Sequence, residues 1–273
     1  MDDGAAGAAR GFPKVPCWVI TAALESELRG VYKLIEQRRR LPLARGSAYF
    51  GNLCGQPVLA VRTGMGRARA LEVCGSVLAR FPARALVSIG YAGSLRPGIG
   101  VGDIVVAREL VVAAEDGPLV FRSEPALVAR ASRGILPGGG CTVVVDRTLT
   151  TDRVIVSSKE KRRLGASYSA AGVDMESGFL AGLAAREGIP FVAVRCISDD
   201  AATELPDYNT LLALRRKRRY VAILWYLASH PREAVGMVRL RHGAALASKN
   251  LARFIEGFWR DMGVGDGLDP GAT

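Results

Sequence analysis

Apolar positions along the chain switch between two spacings. From Met175 the residues Met175, Phe179 and Leu183 recur every four positions with Leu180 and Ala184 beside them, which predicts an amphipathic helix ending at Gly188, with Glu176 in its first turn. The run Pro190 to Ile197, rich in Val, then reads as a buried strand with Ser198-Asp199-Asp200 at its C-terminal end. Upstream the pattern predicts strands over Val15–Thr21, Gln56–Arg62, Ala85–Ile89, Ile104–Leu110 and Cys141–Val145. Helices are expected over Ala22–Glu36 and Arg122–Ser132, with another lasting to about Arg80 that the turn Thr63-Gly64-Met65-Gly66 opens. Strands and helices alternating in this way predict an α/β fold whose largely parallel or mixed sheet is covered on both faces.

Two carboxylates stand at the ends of predicted buried elements, Glu176 and Asp199. Either has a structural alternative, since acids suit the first turn of a helix and Ser-Asp after a strand caps the next one. A strand that buries Arg195 must also give its guanidinium a partner, and nearby carboxylates are the candidates. Two glycine phrases, Thr63 to Gly66 and Gly90-Tyr91-Ala92-Gly93-Ser94, follow strands as turns where backbone N–H groups can approach an anion or sugar. Gly64, Gly90, Ala92, Gly93 and Arg195 therefore join the candidate substrate-binding positions. The first turn lacks the third glycine of a dinucleotide fingerprint, and no Gly-Lys-Ser/Thr follows it.

Composition narrows the chemistry. The 273 residues are 49% hydrophobic, enough for one large core over residues 15–210, preceded by an Ala/Gly-rich tail, 1–14, expected to be disordered. Five scattered cysteines without a Cys-x-x-Cys pair point to reduced thiols in a cytoplasm. The two histidines, His230 and His242, lie far from the motif phrases, which argues against a zinc site or a serine-histidine-acid triad, and no cofactor is expected. Of the net charge of +11, nine units fall between Arg215 and Arg253, where ten basic residues face one acid, Glu233. Residues 211–273 thus read as a basic, mostly helical extension. Its apolar run Tyr220 to Ala228 is too short for a span of about twenty residues. Beside the run Arg215 to Arg219 it suits either a peripheral contact with the inner face of the membrane or burial against the core. Nucleic-acid binding is not expected without a recognisable module.

Five ordered segments together resemble the nucleoside phosphorylase superfamily, specifically its purine-nucleosidase branch typified by methylthioadenosine/S-adenosylhomocysteine nucleosidase. They are Ile20 to Glu27, Thr63 to Arg67, Ile89 to Gly93 with Gly102 to Val105, Val173 to Ser177, and Arg195 to Ala201. The resemblance implies a three-layer fold with a central mixed β-sheet flanked by helices, and cleavage of the N-glycosidic bond of a purine nucleoside. It implies that Asp199 assists proton delivery to the purine N7, that Glu176 holds the ribose hydroxyls and steadies the cationic sugar, and that Met175 packs against the ribose. Val154 and Ile155 fall in the purine-facing stretch, where relatives often carry a stacking aromatic. Glu27 matches the position that activates water in nucleosidases. Phosphorylases of the superfamily carry an arginine just before the second Ile-Gly, where this chain has Ser88; Arg67 and Arg69 are the remaining candidates for phosphate, so the acceptor stays open between water and phosphate. The stretch Asp152 to Leu164 and His230-Pro231 are similar, more narrowly, to the hopanoid-associated phosphorylase group, which implies a lipid-linked nucleoside, adenosylhopane. Relatives also imply a homo-oligomer. A non-catalytic nucleoside-binding protein and a peripheral membrane module are the competing functional classes.

Overall fold

The computed structural model describes residues 15–114, 117–133, 141–216 and 230–264. The expected tail, the loop around Gly138 and most of the basic and apolar stretch from Arg215 to Ala228 lie outside the described residues.

A ten-stranded mixed sheet forms the middle layer. Strand β1 (Cys17–Ala22) runs parallel to both β4 (Gln56–Arg62) and β5 (Ala83–Ser94). Outside β4 lie β3 (Ser47–Leu53) and the edge strand β2 (Glu36–Leu41), both antiparallel to their neighbours. On its other side β5 pairs in parallel with β10 (Phe191–Asp199), which meets β6 (Ile104–Val112) antiparallel. Strand β6 also takes the short β7 (Leu119–Arg122) and runs parallel to β8 (Val143–Thr150). The three-residue β9 (Gly172–Asp174) joins β8 back to β5, so five strands close into a ring.

Strand periodicity distributes the core between two faces. Trp18, Ile20 and Ala22 of β1, with Val58, Val87 and Val194, face one side; Cys17 and Val19, with Leu59, Leu86 and Ala193, face the other. Helices α2 (Arg67–Leu78) and α5 (Ser177–Arg186) cover the second face through Ala70, Val73, Cys74, Leu180 and Ala184. The first is covered by α1 (Glu25–Leu34), α3 (Pro125–Ser132) and the 34-residue helix α7 (Pro231–Val264). Helices α4 (Ser158–Tyr168) and α6 (Tyr208–Arg216) complete the described elements.

Several boundaries depart from the sequence pattern for identifiable reasons. The phrase Gly90 to Ser94 is strand, not turn, because β10 and β9 supply its hydrogen-bond partners. Helix α5 begins at Ser177, leaving Met175 ahead of it and Glu176 at its N-cap rather than in its first turn. Strand β2 escapes a hydrophobic reading because it is the exposed, arginine-rich edge Glu36-Gln37-Arg38-Arg39-Arg40.

Helix α7 is integral to the core. Ala247, Leu251, Phe254, Ile255, Phe258, Trp259 and Met262 are all buried in the first-face cluster, and the Trp259 ring meets Trp18 edge-on at 5.9 Å between centroids. Among the described residues no helix is long and apolar enough to cross a membrane. The helix seats closely because it carries glycine where it crosses the end of β10: a Cβ on Gly243 would lie 2.1 Å from the Ser198 carbonyl oxygen. Gly243→Ala is therefore expected to destabilise the fold by about 1–3 kcal/mol in urea unfolding. Val235→Ala, at a position 52% exposed on the same helix, should change it by less than about 0.5 kcal/mol.

Candidate active site

A cleft opens over the C-terminal ends of the parallel strands, the place where open α/β sheets bind ligands. Segments Ala23 to Glu27 after β1, Met65 after β4, Tyr91 to Gly93 of β5 and Ser198-Asp199 of β10 all line it.

Glu27 enters from the third position of α1. Its Oε2 accepts the Leu24 N–H at 2.7 Å, closing the helix N-terminus, and its Oε1 accepts the Tyr91 N–H at 2.9 Å, tying the helix to β5. The structural and the chemical readings of this acid thus coexist in one side chain. Burial pushes its carboxyl above the ordinary value, against the pull of the backbone N–H groups and Arg195. Gly90 is required beside it, since a Cβ there would come within 2.9 Å of Oε1.

Glu176 stands across the cleft because Asp174 fixes the start of α5. Asp174 is buried, and its Oδ1 accepts the Thr150 hydroxyl at 2.8 Å and the N–H groups of Glu176 and Ser177 at 3.2 Å. Its Oδ2 takes the Arg195 Nε–H at 2.5 Å. Glu176 Oε1 in turn accepts the Gly66 N–H at 2.7 Å, where Gly66 holds a positive φ of 86°. Burial first, and then the Asp174 charge, push the Glu176 carboxyl up to about 8.

Asp199 ends β10 on the third side. Its Oδ2 pairs with Lys161 Nζ at 2.6 Å and its Oδ1 accepts the Ser198 hydroxyl at 2.7 Å. Gly93 clears its path, as a Cβ there would lie 2.9 Å from Oδ2.

Of the sequence-predicted positions, Glu27, Glu176, Asp199, Met175, Ala92, Gly93, Val154 and Ile155 line this one cleft. Gly90 and Arg195 do not; they border a smaller space behind it, together with Ser88, Glu27 and Glu176. Arg195 is 2% exposed and donates to Asp174, to the Ser88 carbonyl and hydroxyl, and to the Val194 carbonyl, so its work is to hold strands rather than to reach a ligand in the cleft. Gly64 borders neither space; its positive φ of 89° turns the chain after β4, and its N–H donates to the Ala23 carbonyl. Val154 is clamped at both backbone groups by the Asn209 amide. This stretch lacks the aromatic that relatives often carry, and among the described residues the aromatic on the cleft wall is Tyr91.

Sequence reading missed Lys161 and Asn209, which hold the cleft residues Asp199 and Val154, and the α7 residues Leu240 and Ala244, which wall the cleft. For Lys161 a signal existed in its i, i+3 spacing to the buried Leu164, but it is submerged in the charged run Lys159 to Arg163. Among the described residues no group of three or more His, Cys, Asp or Glu side chains could hold a metal ion.

The raised carboxyls give stability a pH dependence whose sign is fixed. The unfolded Glu176 carboxyl titrates near its ordinary 4.5 and the folded one near 8, so the folded state binds the extra proton between them. The stability this confers is complete below 4.5 and is lost as pH rises through about 8. The Tm of the ligand-free protein should fall across that window, and Glu176→Gln should flatten the slope in a calorimetric pH series. The carboxyls of Asp200 and Glu204, lowered by hydrogen bonds from Thr203 and Ser158, titrate below the window.

The model of the Phosphorylase superfamily matches residues 18–223. The 5'-methylthioadenosine/S-adenosylhomocysteine nucleosidase of Baumannia cicadellinicola is 30% identical over 196 residues, covering 67% of this chain and 85% of the relative. Among solved structures, the nucleosidase of the same name from Neisseria meningitidis, in complex with methylthio-immucillin-A, superposes with a TM-score of 0.71 at 20% identity, covering 90% of this chain and 99% of that one. Futalosine hydrolase of Helicobacter pylori superposes with a TM-score of 0.71 at 17% identity, covering 90% and 98%. With its ordered motif segments, its mixed sheet and a family match spanning all four carboxylates of the cleft, Glu27, Asp174, Glu176 and Asp199, the chain belongs to the phosphorylase superfamily.

Proposed function

We propose that this protein is a purine nucleosidase that hydrolyses the N-glycosidic bond of a 5′-modified adenosine derivative and releases the base. The observation that carries this reading is the convergence of Glu27, Glu176 and Asp199, from three distant chain segments, on one cleft. The names of the relatives, nucleosidases and a hydrolase, support it. Glu176, facing the ribose, would bond its hydroxyls, and the positive charge that grows on the sugar as the bond breaks would favour its ionised form, which stabilises that charge in turn. Asp199 would deliver a proton to the purine N7 so that the base leaves neutral, and Glu27 would accept the proton of the attacking water. Binding alone does not require three acids around one cleft, which weighs against a storage protein.

Water is favoured over phosphate by the surroundings of Glu27. Where phosphorylases carry an arginine, Ser88 is 1% exposed and is engaged by Arg195. Arg67 and Arg69 are exposed, and the Arg67 guanidinium lies over the Phe179 ring at 5.1 Å from its centroid. Glu27 and Glu176 border the space behind the cleft, and the Arg195 guanidinium that borders it too is already engaged by Asp174 and Ser88, a poor environment for an anion.

For the 5′ substituent, the resemblance of Asp152 to Leu164 to the hopanoid-associated group supports a lipid-linked nucleoside, adenosylhopane. The apolar walls Leu24, Val154, Leu205, Leu240 and Ala244 fit an apolar substituent. The basic segment after Thr210 would then hold the enzyme peripherally on the inner face of the membrane from the cytoplasm, and homo-oligomeric assembly is proposed by analogy.

Incubation of adenosine derivatives with the protein, with and without phosphate, should release adenine and a free ribose derivative in both cases. Ribose 1-phosphate appearing only with phosphate overturns hydrolysis. Glu176→Ala and Asp199→Ala should each lower turnover by roughly a hundredfold or more in an adenine-release assay, and near-normal rates in both would remove the assignment.

A further inference from the structure

Lys161 is a lysine with no exposed surface, standing against the acid assigned to the leaving base. Its ammonium donates all three protons: to Asp199 Oδ2 at 2.6 Å, to the Asp200 carbonyl at 3.0 Å and to the Thr203 carbonyl at 3.0 Å. The remaining Asp199 oxygen is held by the Ser198 hydroxyl, and Gly93 leaves the carboxyl group room at the cleft wall. A buried charge is retained at a cost unless its geometry and partners are nearly complete, and here they are complete. An ordinary structural pairing would not need to end at a group lining the cleft.

We infer that Lys161 is a positioning residue for the glycosidic cleavage, which orients Asp199 toward the nucleobase and compensates the charge that develops on it as its proton passes to the base. The inference rests on the proposed role of Asp199. In the step itself the Asp199 O–H bond breaks and an N7–H bond forms, while the electrons of the glycosidic bond leave with the base. That proton is taken up from water on the cleft side before each turnover, and Asp199 ends the step as the carboxylate seen in the structure, paired with a fixed ammonium at 2.6 Å. The ammonium thereby makes proton delivery easier without touching the substrate.

The test is a kinetic cycle in the full chain. Lys161→Met, which keeps much of the volume, should lower kcat by roughly tenfold to a hundredfold with a much smaller change in KM. Removing the neighbouring positive charge should also move the alkaline limb of the kcat/KM profile upward by about one to three pH units. In an Asp199→Asn background the same change should cost little, because its effect runs through Asp199. Should Lys161→Met fail to fold, Lys161→Ala assayed with added ethylammonium supplies the second measurement, and recovery of rate with the amine is expected. Equal losses in both backgrounds with an unmoved pH limb, or no recovery with the amine, overturn the inference. If Asp199→Asn is itself fully active, the functional reading of Asp199 fails instead, so the two failures are distinguishable.

Discussion

The buried pair of Arg195 and Asp174 is the constraint on which the site depends. A guanidinium in the middle of a strand with every residue buried could not be tolerated without partners, and it finds them on β5, β9 and its own strand. Those are three of the five strands that close the ring. Such a pair adds little net stability compared with a well-packed apolar core, yet removing one partner leaves a lone buried charge at a cost of about 3–5 kcal/mol. Its effect is therefore one of specification: the register of β9 against β5 and the position at which α5 can begin are both tied to one carboxylate. Because the other oxygen of Asp174 holds the N–H groups of Glu176 and Ser177, the same constraint sets where Glu176 stands.

A second constraint is the narrowness of β5 where it passes the cleft. Gly90 and Gly93 lie under Glu27 and Asp199 respectively, each with room for a carboxyl oxygen and none for a Cβ. Two acids that would otherwise repel each other and demand solvent are laid against opposite ends of one short stretch of backbone. Each is given its own donors, Tyr91 and Leu24 N–H groups for Glu27, Lys161 and Ser198 for Asp199. The site is thus assembled by backbone proximity as much as by side-chain choice.

The fold and most of the site could be read from the chain because their signals are local. Continuous apolar runs made β1, β4 and β10 visible, and Glu27, Glu176 and Asp199 sit in short phrases whose order is that of a known family. What could not be read depends on distant partners. The stretch Gly90 to Ser94 is chemically a turn sequence and becomes strand only through β10 and β9. Edge strand β2 carries arginines because it borders solvent, which hides its hydrogen-bonding role. Lys161 looks like one charge in a solvated run, and only the return of β10 nearly forty residues later reveals that it is enclosed. The composition of the C-terminal region announced charge, whereas its apolar positions from Ala247 to Met262 belong to the core.

Helix α7 serves two masters along its length. Its second half, from Ala247 to Met262, is locked into the core by aromatic packing, while Leu240 and Ala244 in its first half face the cleft. Mutations in these two halves are consequently exposed to different selection. The packed half must keep its volume for the protein to fold at all. Apart from Gly243, which the Ser198 carbonyl holds to glycine, the cleft-facing half can drift in size and polarity without disturbing the three carboxylates, which are fixed by other elements. Ligand preference in such a scaffold can diversify along one helix while the reaction chemistry stays unchanged.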